Sequence, residues 1–495
     1  MTTTAVAPLA RLRERYPAAK LPRILVHLGT AGAALGAERY VEELRAALDD
    51  RADAVYEAAS DGANWAAPSA TVFQGTYARR FDRLDLNGID EVVACFNGDC
   101  GDEANYAGTG GRGLTARLGR NNGTLGDVLA QGAYSALDRA LDLTPAQLLD
   151  AIEQGGFTGR GGAHFPVASK WRFAAAHGDE PRMLVVNAEE GEPGVFKDRH
   201  LLEGDPHRLI EGILLAHHAV GFERAYVYIN GQARQGRASF EHALEQAREA
   251  GILDGGAWNR SFDLEIHVRS GAGGYVCGEE SVILNSIEGE RPVPRYKPPF
   301  ATDRGLFDRP TVINNAETLC AVTTVFESPP PPTKLVSLSG DVPRPGLYEV
   351  PVDGATTWAG LLAMAGANPG DTQAILLGGP SGVFVMPDQF EDALEMRVLG
   401  AGGTVVLGAN ADLARVTREL AAYNMRESCG ECTPCREGTV RMVQLLESPR
   451  EHRDEIATLI EVMTEGSLCQ LGGMAGRPVQ SALEQFPSAF DDVSS

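Results

Sequence analysis

The amino-acid sequence predicts a multidomain α/β protein, and three features of the chain support this prediction. Its 495 residues exceed the length that a single hydrophobic core usually serves, so three or four domains are expected. Through the middle of the chain, short apolar strands alternate with amphipathic helices, which is typical of a parallel sheet covered by helices. After residue 416, apolar residues recur at helical spacing, which predicts a helical C-terminal domain.

The N-terminal part of the chain predicts a small α/β domain over residues 1–122. Arg23–His27 is a short apolar strand, a glycine-rich turn follows at 29–36, and Ala37–Leu48 is amphipathic. Between about Cys95 and Asn122, glycine and polar residues dominate, which predicts a loop or linker.

The second domain is predicted over residues 123–328, where helices and strands alternate. Helices are predicted at Leu125–Leu141, Pro145–Gln154, Pro206–Val220 and Ala233–Ala250, and strands at Arg182–Asn187, Arg224–Asn230 and Leu264–Val268. This alternation predicts a parallel sheet.

The prolines at 329–332 predict a stiff linker to a third domain over residues 333–415. Its predicted strands are Lys334–Ser339, Gly346–Val350, Ala374–Leu377 and Thr404–Leu407, with a helix at Thr357–Ala365. This is the size of a β-grasp unit. The helical domain is predicted over residues 416–495.

Composition excludes several classes of partner. The formal charge of −23 repels nucleic acid and anionic membranes, so neither is expected as a direct partner. No apolar run approaches the roughly 20 residues that span a bilayer, so no membrane insertion is expected. The N-terminus also lacks the apolar core of a signal peptide, which predicts a cytoplasmic location, free or on the cytoplasmic side of a membrane complex.

The eight cysteines are interpreted as metal ligands and free thiols rather than disulfides.

Four of these cysteines form the most specific motif in the chain. Cys429, Cys432 and Cys435 have the spacing C-x2-C-x2-C, and Cys469 follows at a distance. Three close thiolates and a fourth distant one match the four ligands of a [4Fe-4S] cluster. Structural zinc is the alternative, although it usually takes two separate pairs of ligands, and four unrelated buried thiols are a third interpretation.

A glycine-rich segment and an acidic segment predict a ligand site. Gly159–Pro166 can present backbone N–H groups to a phosphate, with added charge from Arg160 and Lys170; a simple connecting turn is the alternative. The acidic segment Asn187–Asp198 follows a predicted strand, where α/β proteins place ligands, although a solvated acidic turn has the same pattern.

Two further segments have related compositions. Gly271–Ser281 is again glycine-rich and contains a pair of acids, while Cys277 within it is interpreted as a packed thiol. Arg291–Phe300 is stiff, basic and aromatic, so it can clamp a diphosphate and stack an adenine ring.

In this order, these four segments and the cysteine motif resemble one family, from Leu125 to Phe490. It is the NADH-binding (51 kDa-type) flavoprotein subunit of respiratory complex I, with soluble relatives in NAD-linked formate dehydrogenases and hydrogenases. The resemblance implies a Rossmann-like domain that binds FMN and NADH, a β-grasp (SLBB-type) domain and a helical bundle with one [4Fe-4S] cluster. Hydride transfer between NADH and FMN, then single-electron transfer to the cluster, is the implied activity.

The resemblance also implies roles for individual residues. Those implied to surround FMN are Gly159, Arg160, Gly161, Gly162, Lys170, Asn187, Glu189, Asn314 and Asn315. Glu192 and Glu280 are implied at the nicotinamide, with Glu190 as a secondary candidate. Phe165, Phe173 and Phe300 are implied in the adenine pocket, with Lys297 near the polar part of the nucleotide.

Two residues depart from the pattern of the family. His164 stands where glycine is usual, and Gly191 where a small hydroxyl residue is common. The histidine is expected to add bulk beside the adenine pocket and so to change nucleotide affinity.

The first 120 residues depart further. Soluble relatives often have an N-terminal thioredoxin-like domain with a [2Fe-2S] cluster at C-x-G-T-x-C, but this chain has His27 and Gly32 at the two cysteine positions. A cluster-free docking domain, an unusual cluster and a redox-active Cys95/Cys100 pair remain open.

The implied partners are a thioredoxin-like [2Fe-2S] subunit and a larger electron-transfer or catalytic subunit. The direction of electron flow also remains open. The alternatives to an NADH dehydrogenase are a diaphorase subunit that reduces NAD+ with electrons from formate or hydrogen, and a non-redox scaffold that kept the fold.

Overall fold

The structure of the chain is a computed structural model that describes residues 7–75, 77–100, 113–178, 180–327 and 332–490. Within these ranges, three β-sheets and a C-terminal group of helices follow one another along the chain.

The first sheet has the strand order β2-β1-β3-β4 and mixed direction, with β1 parallel to β2 and antiparallel to β3. Its elements are β1 (Arg23–His27), α2 (Thr30–Ala34), α3 (Glu38–Leu48), β2 (Val55–Ala58), β3 (Ser69–Gln74), β4 (Tyr77–Phe81) and α4 (Ile89–Phe96). The helix α1 (Pro8–Arg15) precedes them, but its Leu9 and Leu12 belong to the core around the following sheet. The apolar faces of α3 and α4 pack on this sheet and form a hydrophobic core with it.

The second sheet is parallel throughout and has the order β7-β6-β5-β8. Its elements are α5 (Leu125–Ala130), α6 (Ser135–Ala140), α7 (Pro145–Gln154), α8 (Val167–Ala175), β5 (Arg182–Ala188), α9 (Lys197–Gly204), α10 (Pro206–Val220), β6 (Phe222–Ile229), α11 (Arg234–Glu249), β7 (Glu265–Ser270), α12 (Glu280–Glu288), β8 (Thr311–Asn315) and α13 (Ala316–Val322). Because all four strands run the same way, their carboxyl ends meet at one edge, from which the acidic loop after β5 and the glycine-rich segment Gly271–Ser281 after β7 leave.

The third sheet has the order β10-β9-β13-β11-β12, and a group of helices follows it. Its elements are β9 (Thr333–Gly340), β10 (Gly346–Pro351), α14 (Trp358–Met364), β11 (Thr372–Leu377), β12 (Val383–Val385), α15 (Met396–Leu399) and β13 (Gly403–Gly408). The C-terminal helices are α16 (Leu413–Glu427), α17 (Thr433–Leu445), α18 (Arg453–Gly466), α19 (Gln470–Met474) and α20 (Arg477–Gln485).

The predicted α/β class and the parallel sheet are confirmed, and one predicted helix is wrong. The periodicity of 125–141 predicts a single helix, but the chain breaks at Tyr134, whose φ is 63°. The Glu211 carboxylate accepts hydrogen bonds from the backbone N–H of Tyr134 at 2.9 Å and of Ala136 at 2.8 Å, so a distant acid stabilises the break.

The prediction that no cysteine forms a disulfide is also wrong. Cys95 and Cys100 are bonded to each other, with their Cα atoms 4.0 Å apart. α4 ends at Phe96, and Gly98, with φ of 107°, turns the chain back so that Cys100 meets Cys95. Spacing alone does not reveal this local return of the chain.

Two predicted segments lie largely outside the described residues, namely 101–112 of the predicted loop and 329–331 of the proline linker. In the ranges given above, no helix is long and apolar enough to cross a membrane.

Candidate functional site

The glycine-rich loop forms a tight hairpin beside the carboxyl end of β8. The Gly159 N–H donates to the Phe165 carbonyl at 2.9 Å, and Thr158 pairs with Pro166 before α8 begins. Gly162 has φ of 118°, a conformation that favours glycine. A Cβ on Gly161 would lie 3.1 Å from the Asn315 Cβ. The loop therefore needs its glycines to approach β8 closely.

One buried carboxylate joins three cations from three parts of the chain. Glu317 lies 3.3 Å from Arg160 Nη1 and 3.2 Å from Lys197 Nζ, and it also contacts Lys334 Nζ. These four residues, called the Glu317 cluster below, connect the glycine loop, α9 and β9. All four are buried.

The Glu317 cluster contains three cations and one carboxylate, which explains the pKa values of its members. Burial raises the pKa of Glu317, but Lys334, Lys197 and Arg160 together lower it to about 2. Burial lowers the pKa of Lys334 to about 8, since the attraction of Glu317 is opposed by the like charges of Lys197 and Arg160. Glu317 is therefore firmly ionised, whereas Lys334 is less so.

The predicted asparagines are tied to this cluster. Lys197 Nζ donates to Asn315 Oδ1 at 3.1 Å, and Asn315 Nδ2 donates to the Asn187 carbonyl at 3.1 Å. Asn187 Nδ2 donates to the Gly278 carbonyl at 2.9 Å. Asn314 Oδ1 accepts from the buried Trp171 indole at 2.8 Å. The amides at the ends of β5 and β8 are thus held in place by hydrogen bonds.

The acidic loop after β5 divides into a structural acid and two acids without complete partners. Glu190 accepts from the N–H groups of Asp198 at 2.7 Å and Arg199 at 3.2 Å, so it stabilises the start of α9. Glu189 Oε1 accepts from Asn230 at 2.9 Å, but its buried Oε2 has no hydrogen-bond partner among the described residues. The same is true of the buried Glu192 Oε1.

The two acids with orphaned oxygens have raised pKa values. Burial raises the pKa of Glu189 to about 7. Burial likewise raises the pKa of Glu192 to about 7, against the weaker opposing effects of Lys197 and Lys334. A buried oxygen without a partner is costly, so both side chains fit a site that a bound group completes.

A second group of charges lies at the start of α12. Lys297 Nζ donates to Glu280 at 2.7 Å and to Glu279 at 2.9 Å. Lys170 lies 3.8 Å from Glu280 and donates to the Ile313 carbonyl at 3.0 Å. Burial raises the pKa of Glu280, but Lys170 and Lys297 outweigh it, so the net shift is downward. No described contact joins this group to Glu192, which lies against Gly379 and Gly403 instead.

Exposed aromatic side chains stand beside these charges. The rings of Phe165 and Phe173 are 6.3 Å apart, and both are exposed, as is Phe300. Near the end of α8, His177 lies 3.5 Å from Asp303, which follows Phe300 by three residues, so the two segments are neighbours. Phe165 and Phe173 are therefore neighbours, and Phe300 lies on the adjoining segment.

His164 lies toward the third sheet. Its φ is 52°, and both ring nitrogens are buried with no hydrogen-bond partner in the part of the chain that the structure describes. Burial lowers the pKa of this histidine, and the charges of Lys334 on β9 and Arg397 on α15 lower it further.

The four predicted cluster cysteines line one cavity. Cys429, Cys432, Cys435 and Cys469 share it with Val276, Pro294, Ser428, Glu431, Leu468 and Leu471. Ser428 Oγ is 3.3 Å from Cys435 Sγ, and Arg291 donates to the Cys429 carbonyl at 3.2 Å. Within the described ranges, no three His, Cys, Asp or Glu side chains are arranged to hold a single metal ion. Four thiols around a shared cavity fit a larger cluster better than one zinc ion.

The cysteine cavity and the acidic loop are joined through α16. Glu427 Oε2 accepts from the Tyr275 N–H at 2.8 Å, and the Tyr423 hydroxyl donates to the Gly191 carbonyl at 3.3 Å. The Tyr275 hydroxyl lies 2.7 Å from Ser381 Oγ. These contacts hold Tyr275 and the acidic loop against α16, the helix that leads into the cysteine motif.

Sequence reasoning missed several residues that organise the site. No sequence pattern indicated a role for Lys334, because a lone lysine in a strand is ordinarily exposed to solvent. Glu317 and Lys197 stood inside segments already recognised, but their pairing across the chain has no local signal. Tyr423 and Glu427 lie directly before the cysteine motif, and their helix position was the one available hint.

Comparison with known proteins agrees with these two sites. The sequence matches the family model of the Nuo51 FMN-binding domain over residues 152–324. It matches that of the NADH-ubiquinone oxidoreductase-F iron-sulfur binding region over residues 415–493.

Similar proteins include the NADH-quinone oxidoreductase F subunit of Aquifex aeolicus (strain VF5), 35 % identical over 389 residues that cover 74 % of this chain and 91 % of the relative. The NAD-reducing hydrogenase HoxS subunit alpha of Cupriavidus necator is 33 % identical and covers 77 % of this chain, with 66 % of that relative covered. The fold is similar to a chain in the crystal structure of NAD+-reducing [NiFe]-hydrogenase in the H2-reduced state, with a TM-score of 0.68 and 28 % identity. That similarity covers 99 % of this chain and 87 % of the other.

The fold and the two sites define an oxidoreductase, an NADH-dependent flavoprotein with FMN and an iron–sulfur cluster. The chain belongs to the complex I 51 kDa subunit family, which includes the F subunits of NADH-quinone oxidoreductases and the corresponding subunits of NAD-reducing hydrogenases.

Proposed function

We propose that the carboxyl edge of the parallel sheet binds FMN and NADH, and that the four cysteines hold one [4Fe-4S] cluster that receives the electrons. One observation supports this proposal above the others. The orphaned carboxylate oxygens of Glu189 and Glu192, the glycine hairpin and the asparagines of β8 converge at one edge of the sheet. Such an edge is where open α/β sheets bind ligands.

The residues proposed to bind FMN lie at this edge and contribute backbone N–H groups, side-chain amides or charged side chains. They are Gly159, Arg160, Gly161, Gly162, Lys170, Asn187, Glu189, Asn314 and Asn315. The Arg160 side chain pairs with Glu317, while the N–H groups of Gly159 and Arg160 donate to the Phe165 carbonyl and to Thr318 Oγ1. The N–H groups of Gly161 and Gly162 are therefore the ones proposed to bind the phosphate.

The proposed NADH residues surround the same edge. Glu192 and Glu280 lie at the nicotinamide, Phe165, Phe173 and Phe300 provide aromatic faces for adenine, and Lys297 binds near the diphosphate. In the chain without nucleotide, Lys297 forms ion pairs with Glu279 and Glu280, so nucleotide binding exchanges one of these ion pairs for a phosphate contact.

The chain's contribution to the reaction is alignment. FMN, when bound, accepts hydride from NADH and releases electrons one at a time. Glu280 is held ionised by Lys170 and Lys297, which lower its pKa, so it can orient an amide or a hydroxyl without becoming protonated. Cys429, Cys432, Cys435 and Cys469 provide thiolate ligands at the far side of Tyr275 and Gly191, which keeps the two sites adjacent.

The proposed domain division follows the sheets and helices. Residues 1–122 form a degenerate thioredoxin-like domain and linker, 123–328 a Rossmann-like FMN and NADH domain, 333–415 a β-grasp (SLBB-type) domain, and 416–495 a helical [4Fe-4S] domain. The first sheet has a hydrophobic core of its own, and one face of the third sheet packs on α14, which supports these two divisions. The other face of the third sheet shares a core with the C-terminal helices.

The chain is proposed to work as a subunit. A cluster needs an onward acceptor, and the proposed partners are a thioredoxin-like [2Fe-2S] subunit and a larger electron-transfer or catalytic subunit. A diaphorase role, with electrons flowing toward NAD+, is the second candidate. It is favoured by the similarity to the NAD+-reducing hydrogenase chain, which covers 99 % of this chain, including its N-terminal part.

The FMN assignment is tested by titrating the flavin-free chain with FMN and following the loss of flavin fluorescence. In Gly161→Leu, whose added side chain meets Asn315, affinity is expected to fall at least about tenfold, which corresponds to about 1.4 kcal/mol. Gly360→Ala is the matched control, because an added Cβ there makes ordinary contact in α14. Equal FMN affinity in Gly161→Leu and the control would reject the assignment.

A further inference from the structure

We propose that the N-terminal domain contains no iron–sulfur cluster and instead clamps the flavin domain to the third sheet. The proposal rests on the domain division given above.

The turn between β1 and α2 has no room for a ligand at residue 32. A Cβ added to Gly32 would lie 2.1 Å from the His27 carbonyl oxygen, which is backbone and cannot move aside cheaply. A cysteine there would therefore require the turn to rebuild.

His27, at the other ligand position, is already satisfied. It is buried, with Nδ1 3.1 Å from the Ala59 carbonyl and Nε2 2.9 Å from Thr71 Oγ1. Both nitrogens face the interior of the first sheet, so neither is available to a cluster on the surface of the turn.

The remaining cysteines of the N-terminal domain do not form a site. Cys95 and Cys100 are bonded to each other and buried in the core of the first sheet. The chain has eight cysteines, and this domain contains only these two. A [2Fe-2S] cluster needs four ligands.

The turn is instead covered by the flavin domain. Glu203, near the end of α9, accepts from the Thr30 N–H at 3.0 Å and from the Thr30 hydroxyl. A Cβ on Gly29 would lie 3.1 Å from Glu203 Oε2 and 2.6 Å from the Ser60 backbone nitrogen. The Glu203–Thr30 contact, called the latch below, thus occupies the surface where a cluster would emerge.

The same domain also holds the third sheet. The Gly62 carbonyl accepts from the Leu347 N–H of β10 at 2.9 Å, and the Trp65 N–H donates to the Pro345 carbonyl at 3.2 Å. A Cβ on Gly346 would lie 2.4 Å from the Gly62 oxygen, so the backbones touch. The N-terminal domain therefore contacts both neighbours through hydrogen bonds.

The latch is close to the flavin site along α9. Lys197, a member of the Glu317 cluster, precedes Glu203 by six residues, about 9 Å of helix. Holding the end of α9 limits the movement of its first turn, where Lys197 and Asp198 meet Asn315. The clamp thus positions the residues proposed to bind FMN, and the cysteines that would hold the electron acceptor line the cavity in the C-terminal part of the chain.

The absence of an N-terminal cluster is tested on the full chain, reconstituted without oxygen with iron, sulfide and FMN. About four irons per FMN and a single cubane signal in electron paramagnetic resonance are expected after reduction. About six irons, with a second signal typical of a [2Fe-2S] cluster, would overturn the first part of the proposal. Bound FMN and its bleaching by NADH are measured on the same sample, so a failure of the proposed function is recognised separately.

The clamp is tested with Glu203→Gln, which weakens the latch without changing the size of the side chain. Amide hydrogen exchange at residues 28–34 is expected to be at least about tenfold faster than in the unaltered chain, with iron content unchanged. Glu223→Gln is the matched control, because the Glu223 side chain is 41 % exposed and its ion pair is with the neighbouring Arg224. Exchange at residues 28–34 that is the same in both variants would overturn the clamp.

Discussion

Replacing Glu317 with glutamine should destabilise the flavin domain, because three buried cations share this carboxylate. The pKa of Glu317 falls from 4.5 to about 2 through Lys334, Lys197 and Arg160, despite the opposing effect of burial. At about 1.4 kcal/mol for each tenfold change in proton binding, this fall corresponds to about 3 kcal/mol. Loss of one partner from a buried ion pair typically costs about 3–5 kcal/mol, so the two values agree.

The measurement is urea unfolding at pH 7, followed by tryptophan fluorescence and by release of FMN in the same titration. Trp171 is buried and its indole N–H donates a hydrogen bond to Asn314, so its fluorescence reports on this domain. Glu317→Gln is expected to lower the free energy of unfolding by about 3 kcal/mol. The control is Glu391→Gln, at an exposed residue, which is expected to lower it by less than about 0.5 kcal/mol. Removing one cation as well, in Glu317→Gln with Lys334→Met, should recover part of the loss, since the variant then buries less uncompensated charge.

The sign of the pH dependence gives a second check on the same residue. A carboxyl whose pKa is lowered by folding stabilises the protein above pH 4.5, and that contribution disappears as the pH falls toward 2. Glu317→Gln should lack this acid-dependent step. A variant within about 1 kcal/mol of the unaltered chain at pH 7 would refute the view that Glu317 holds the three cations together.

The other predictions concern the nucleotide, the cluster and acid stability. Phe173→Ala should raise the KM for NADH about tenfold in steady-state assays, with Phe307→Ala, also an exposed phenylalanine, as the unaffected control. Cys469→Ser should lose most of the cluster absorbance and iron, whereas Cys320→Ser, at a buried thiol away from the cavity, should keep both. Burial, aided by Arg199, lowers the pKa of His200 from 6.5 to about 4, so its contribution to stability is lost as the pH falls from 6.5 to 4; His200→Gln should flatten that part of the stability curve measured by thermal unfolding.

Each of these predictions has an opposite outcome that would contradict it. An unchanged KM in Phe173→Ala would remove this ring from the adenine pocket. Full iron content in Cys469→Ser would remove this cysteine from the ligand set. An acid dependence that is the same in His200→Gln and the unaltered chain would mean that other groups control unfolding between these pH values.

The sequence was sufficient where a local pattern determines the structure. β5 and α10 appear within two residues of their predicted limits, because an apolar run and an amphipathic period are both local signals. The four cysteines were found for the same reason, since their spacing alone suggests a shared site.

The sequence was insufficient where residues far apart meet. The contact between Glu317 and Lys334 depends on how β9 packs on α13, and the break at Tyr134 depends on Glu211. The disulfide between Cys95 and Cys100 depends on a glycine turn whose geometry no sequence pattern predicted. In each case, a tertiary contact determines which of several locally acceptable conformations forms.

The position of His164 illustrates the same limit. Its place in the glycine loop predicts bulk beside the adenine pocket, but its ring lies near Lys334 and Arg397, whose charges lower its pKa. Its effect on nucleotide affinity remains a prediction, and the KM of His164→Gly for NADH would measure it.

Anaerobic stopped-flow spectroscopy of the reconstituted chain mixed with NADH tests the central claim most directly. Rapid bleaching of FMN, followed by loss of the cluster absorbance, is the predicted result, since the two sites lie on either side of Tyr275 and Gly191. Bound FMN and an intact cluster that respond to neither NADH nor NADPH would contradict the account and indicate a scaffold that kept the fold.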